Sequence, residues 1–146
     1  FTLTGTGCNL TVTGGTTAFI SCTGDITAFA SDKRLKTDIE IISNPLDKIN
    51  KITGFTYCWD KEVCDKIQLN TDDNRHIGVY AQDIQAVLPE AVKPAPFDTD
   101  SKGNSKSGDN YLTVQYEKIV PLLIECIKEQ QTQIEELRNE IDSLKK

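Results

Sequence analysis

The sequence predicts an α+β protein: a small mixed domain that runs into a long C-terminal helix and follows the end of a β-rich segment. Three observations predict it. The first 30 residues are rich in Thr and Gly, and Asp25 is their only charge. Short alternating runs share the stretch 31–114 with helix-capping signals. Beyond it, apolar residues recur every three and four positions, the period of a helix with one apolar stripe. The predicted boundaries are therefore 1–30, 31–114 and 115–146.

In the first segment, Thr2-Leu3-Thr4 and Asn9-Leu10-Thr11-Val12-Thr13 alternate with period 2, which suits short strands. Gly14-Gly15 and Thr23-Gly24-Asp25 read as the turns between them. Thirty such residues cannot bury a core alone, so they read as the trailing end of a β-stalk completed by other chains. The alternative, a Thr/Gly linker, fits poorly with Phe19, Ile20 and Phe29. Because the chain opens on Phe1, a piece of a longer polypeptide is expected.

The mixed domain opens with Leu35, Thr37, Ile39 and Ile41 alternating with charged or polar neighbours for most of that stretch, which predicts a strand. Asn44 offers an N-cap and Pro45 a first helical position, for a short helix through Leu46, Ile49 and Ile52 that Gly54 stops. Phe55 to Trp59 and His76 to Tyr80 read as strands. A helix through Gln82, Ile84 and Val87 follows and ends near Pro89. The Pro-, Ser- and Gly-rich stretch from Lys93 to Asn110 reads as a long surface loop, and Tyr111–Val114 as a brief strand.

In the last segment Pro121 predicts either a kink or a helix that begins near it. Beyond it Ile127, Gln130, Ile134, Leu137, Ile141 and Leu144 form a heptad seam with Gln130 as its one polar position. So narrow a stripe is best covered by identical helices from neighbouring chains. Ile and Leu in these positions lean towards two strands, so the heptads alone do not specify a trimer.

Composition narrows the function. The net charge of −6 repels phosphate backbones and argues against nucleic acid as a partner. No stretch approaches the roughly 18–20 apolar residues needed to cross a bilayer, so no membrane partner is expected. Five cysteines, Cys8, Cys22, Cys58, Cys64 and Cys126, show no C-x-x-C spacing, and His76 is the single histidine. A zinc site, a disulfide framework and a Ser-His-Asp or Cys-His centre are all disfavoured. The glycine pairs at 5/7 and 14/15 lack the helix and Lys-Ser/Thr of a phosphate-binding loop. No cofactor or metal is implied.

What remains is Ser31-Asp32-Lys33-Arg34-Leu35-Lys36, where the Thr/Gly segment meets the mixed domain. A serine hydroxyl needs a base to become a nucleophile. A lysine supplies one when burial or neighbouring cations favour its neutral amine, and Lys33 and Arg34 are such neighbours. Ser–Lys pairs at this spacing are common, and spacing alone does not make one catalytic.

The run Ser31-Asp32-Lys33-Arg34-Leu35-Lys36 resembles the S-D-x-R-x-K motif that opens the phage intramolecular chaperone family. Three further stretches are similar to that family in the expected order: Leu46 to Tyr57 completed by Trp59, Gly78 to Val92 with its G-V-x-A-Q and L-P-E-A-V, and Val114 through Pro121 to Glu129. The resemblance covers essentially all of 31–146. It implies a domain found at the end of endosialidase tail spikes, tail fibres and neck appendages, and in the animal myelin regulatory factor. It further implies a homotrimer that guides an upstream β-rich stalk, both folding client and substrate, and then cuts itself free. Assembly in the host cytoplasm is implied, with the mature stalk on the virion. Carried onto this sequence, the resemblance implies a scissile bond between Ala30 and Ser31, with Ser31 as nucleophile and Lys36 as base. Asp32 is a candidate to orient Lys36, and Gln82 to donate to the oxyanion. A non-cleaving trimerisation foot of a viral fibre is the alternative function.

Overall fold

The computed structural model of the protein describes Thr23 and residues 30–145. The predicted stalk strands before Ala30 lie outside the described residues. The chain is mixed α/β with small sheets and a long C-terminal helix, and it divides into two units. One contains residues 30–37 and Cys58–Asn74; the other contains Asp38–Tyr57 and the chain from Arg75 onward.

In the larger unit, α1 (Pro45–Ile49) starts where Pro45 presets φ at the first helical position. Asn44 before it is left-handed (φ 49°), a conformation that Asn tolerates better than most residues. The helix stops at Ile49, earlier than expected, and Gly54 instead opens β1 (Gly54–Tyr57). β1 pairs antiparallel with β2 (His76–Val79), Phe55 opposite Gly78 and Tyr57 opposite His76. One face of this ribbon is aromatic: Phe55 stacks on Tyr80 with ring centroids 4.1 Å apart, and Tyr57 on His76 at 5.5 Å.

α3 (Ala81–Val87) follows and buries Ile84 and Val87. Ile84, Ala91 and Val92 make the core, with Ile52, Val79, Leu88, Leu112, Val114 and Ile119 packed against it. Fully burying a side chain such as Ile84 contributes on the order of 1.5–3 kcal/mol. A second ribbon, β3 (Val92–Pro94) with β4 (Leu112–Val114), closes this core. A 3-10 turn, Tyr116–Ile119, leads into α4 (Val120–Leu144). Pro121 sits in the first turn of α4, so the helix begins there and is not kinked. Leu122 and Cys126 are buried where α4 packs on α1, and the Cys126 thiol donates to the Pro45 carbonyl at 3.2 Å.

Two expectations are corrected. The strand over Leu35–Ile41 does not form: Lys33–Leu35 is a 3-10 turn, Asp38 has φ 50°, and Leu35, Ile39 and Ile41 are exposed. An alternating run becomes a strand only when another strand takes its hydrogen bonds, and none among the described residues pairs with it. The stretch 93–110 is not a plain surface loop either. It completes β3, makes a 3-10 turn at Pro96–Asp98, and folds back through a Thr99–Ser105 bridge. Gly103 and Gly108, both at φ 87°, allow this tight return.

The loop is held by Asp98, which is only 4% exposed. Its carboxylate accepts from the Ser105 hydroxyl at 2.7 Å, the Ser107 N–H at 2.8 Å and the Tyr111 N–H at 3.1 Å. Burial pushes this carboxyl up, but the donors outweigh it and hold it down at about 2.

The smaller unit carries α2 (Lys61–Lys66), a helix the sequence reading missed. Asp60 caps it by accepting from the Val63 N–H at 3.1 Å, and Glu62 pairs with Lys66 one turn later. Lys61 pairs with Asp73, which raises the Lys61 amine above its ordinary value.

Candidate functional site

Lys36 lies five positions after Ser31, and in an extended chain their Cα atoms would stand roughly 17 Å apart. The 3-10 turn Lys33–Leu35 shortens that span. Leu35 N–H donates to the Asp32 carbonyl at 3.1 Å, and Lys36 N–H to the Lys33 carbonyl at 3.2 Å. Lys36 then reaches back, and its Nζ donates to Ser31 Oγ at 2.8 Å. The serine and the lysine singled out in the sequence are therefore in direct contact, on an exposed segment of the smaller unit.

Asp32 is the N-cap of the same turn. Its Oδ1 accepts from the Arg34 backbone N–H at 2.9 Å, and its carboxylate takes the Arg34 guanidinium at 2.7–3.2 Å. The Arg34 side chain, then its backbone N–H, hold the Asp32 carboxyl below the usual carboxylate range; Asp32 in turn raises Arg34. The Asp32 carboxylate thus engages Arg34, not Lys36. Arg34, expected from sequence to act on Lys36 as a neighbouring cation, instead has its guanidinium on Asp32; the Asp-x-Arg spacing within the motif was the available signal for that pairing.

Gln82 is exposed near the start of α3, in the larger unit. Ala30, the residue before Ser31, is exposed as well. Chemically, the Ser31–Lys36 contact puts a hydroxyl and an amine at hydrogen-bonding distance, the pairing that a serine nucleophile and its base require.

Residues 31–93 match a peptidase family model described as "Chaperone of endosialidase". The likeness to that family model thus spans a little under half of the chain. The matched stretch starts at Ser31 and contains Asp32, Arg34, Lys36 and Gln82. Among curated proteins, the chain is 37% identical over 112 residues to long tail fiber protein Gp37 of Enterobacteria phage K3, covering 76% of this chain and 8% of that one. It is 31% identical over 109 residues to Gp37 of Enterobacteria phage M1, covering 74% and 38%. With Gp37 of Salmonella phage S16 it shares 30% identity over 120 residues, covering 80% and 14%. The chain thus spans well under half the length of these relatives.

Proposed function

We propose that this chain is the terminal intramolecular chaperone of a phage tail fibre, which trimerises, guides an upstream β-rich stalk into register, and releases itself by cleavage between Ala30 and Ser31. The observation that carries the cleavage is the 2.8 Å contact of Lys36 Nζ with Ser31 Oγ, made by the first residues of the chaperone segment. Trimerisation is supported by α4, whose seam residues Ile127, Ile134, Leu137, Ile141 and Leu144 are all exposed in the single chain. The fibre setting rests on the tail fibre proteins that share this sequence.

The physical need is clear. Three chains of a stalk must find one register before most contacts form, a slow search. A module that associates first raises the local concentration of the strands and fixes their alignment. Cutting it away afterwards makes the assembled stalk hard to unfold by the same route, which is kinetic stability. Assembly belongs to the host cytoplasm and the finished stalk to the virion tail, with no cofactor, nucleic acid or membrane in the scheme.

In the cleavage, Lys36 acts as the base that takes the Ser31 hydroxyl proton as Oγ bonds to the Ala30 carbonyl carbon. The C–N bond breaks and the Ser31 nitrogen receives the proton from Lys36. The product is an ester of Ala30 on Ser31 Oγ. Water then hydrolyses that ester, freeing the Ala30 carboxylate and restoring the serine hydroxyl.

Intact mass measured over time for the wild type, Ser31→Ala and Lys36→Ala tests this directly. Two fragments divided between Ala30 and Ser31 are expected from the wild type and from neither variant. A fragment that persists in Ser31→Ala removes Ser31 from the mechanism. A wild type that stays whole leaves the non-cleaving foot as the function.

A further inference from the structure

We infer that Arg34 and Asp32 act together as positioning residues for the Ser31–Lys36 dyad, the Arg34 guanidinium clamping the Asp32 carboxylate so that the turn bringing lysine to serine stays formed. The inference rests on the self-cleavage proposed above. A lone 3-10 turn on an exposed segment is marginal, because its nucleation fixes several dihedrals for few hydrogen bonds. This one has two backbone bonds, Leu35 N–H to Asp32 O and Lys36 N–H to Lys33 O. The Asp32 carboxylate adds a cap on the Arg34 N–H. Around that cap the guanidinium closes with Nε at 3.1 and 3.2 Å from the two oxygens and Nη2 at 2.7 Å. The fork bridges both carboxylate oxygens, so the carboxylate plane is fixed as well as its charge.

The clamp also occupies the one carboxylate within the dyad's own turn. An Asp32 released from Arg34 is free to accept from the Lys36 side chain and draw it from Ser31. Arg34 therefore acts twice, by holding the turn and by keeping the carboxylate engaged. Neither action needs contact with the scissile bond.

Exposed ion pairs contribute little to global stability, so removing this one leaves the fold intact and the melting temperature unchanged. The expected signature is catalytic. Arg34→Ala slows fragment formation at Ala30–Ser31 by about ten-fold or more, the size of effect that small misplacements of a reacting group produce. Arg34→Lys, which keeps charge without the fork, recovers part of the rate. Asp32→Asn is slowed too, and the double variant Asp32→Asn/Arg34→Ala is no slower than the worse single one, because the two act as a unit.

All four variants are followed on the full chain by intact mass, beside the wild type and Ser31→Ala. Wild-type rate in Arg34→Ala overturns the inference, as does full additivity in the double variant. A melting temperature that falls in step with the rate also overturns it, since the effect would then be general unfolding. If the wild type itself yields no fragments, or Ser31→Ala still yields them, the proposed self-cleavage fails and takes this inference with it. An Arg34 result without effect beside an active wild type and a silent Ser31→Ala fails the inference alone.

Discussion

The Tyr116 hydroxyl lies directly over Gly78: a methyl group added there would stand 3.1 Å from Tyr116 Oη and 3.3 Å from Tyr57 Cε1. Gly78 is buried opposite Phe55 in the β1–β2 ribbon, so there is no open side for the methyl to take. Gly78→Ala is expected to cost about 1–3 kcal/mol by overpacking. Removing the hydroxyl relieves part of the crowding. The double variant Gly78→Ala/Tyr116→Phe is therefore expected to be more stable than the sum of its singles in a thermal or urea melt. Simple additivity would show that the two residues do not meet.

Asp98 predicts an acid limit to stability. Its folded value of about 2 lies below the ordinary aspartate value of about 3.9. A carboxyl depressed by folding stabilises the protein fully above the unfolded value, and that contribution fades as pH falls from about 4 through about 2. Asp98→Asn is expected to melt several degrees lower at pH 7, since an amide cannot accept from Ser105, Ser107 and Tyr111 as a carboxylate does. Its melting temperature is also expected to change less between pH 4 and pH 2 than that of the wild type. An equal slope in both proteins would rule Asp98 out as the acid-sensitive group.

These two sites show where sequence was informative. β1, β2, α1, α3 and α4 were legible because each carries its own signal: aromatic runs, Pro45 after Asn44, or apolar spacing. The Ser31–Lys36 pair was legible through the motif it belongs to, and its contact is made by bonds local to residues 31–36, the Asp32 cap among them. The missing strand at 35–41 had the right alternation, but no strand among the described residues pairs with it, a fact that local pattern does not contain. α2 is six residues, four of them charged, too short and polar to show a period, although its Asp60 cap was readable. Burial of Asp98 was not readable at all, because its donors come from up to 13 residues along a folded loop.

Cysteine chemistry separates exposed from buried thiols. Cys58 is exposed, whereas Cys126 is buried with its thiol on the Pro45 carbonyl. Burial first, then the nearby Glu129 charge, push the Cys126 thiol up. Cys58 is therefore expected to react with a thiol reagent within the mixing of native protein, and Cys126 only as the chain unfolds. The sign for stability follows: a thiol raised by folding stabilises below its unfolded value, about 8.5, and that contribution is lost as pH rises above it. Cys126→Ala is expected to flatten the alkaline side of the stability curve. Rapid labelling of Cys126 in native protein would contradict the packing of α4 on α1.

The long helix combines two apolar surfaces with different jobs, and two substitutions tell them apart. Leu122 is fully buried within the chain, so Leu122→Ala is expected to cost about 2–5 kcal/mol as a cavity in the monomer fold. The other surface begins at Val120 and Leu123 and runs on through Ile127, Gln130, Ile134, Leu137, Ile141 and Leu144, one heptad longer than the seam read from sequence. Its apolar members are exposed in the single chain, with Ile127 at 65%. Under the proposed trimer, Leu137→Lys places like charges together at the axis. It is expected to convert the oligomer to monomer in sedimentation while leaving the Ile84 core folded. Gln130→Ile is expected to do the reverse, strengthening association while loosening the choice between two, three and four helices. A wild-type chain that sediments as a monomer, or a Leu137→Lys variant that still associates, would mean that this surface is not where the copies meet.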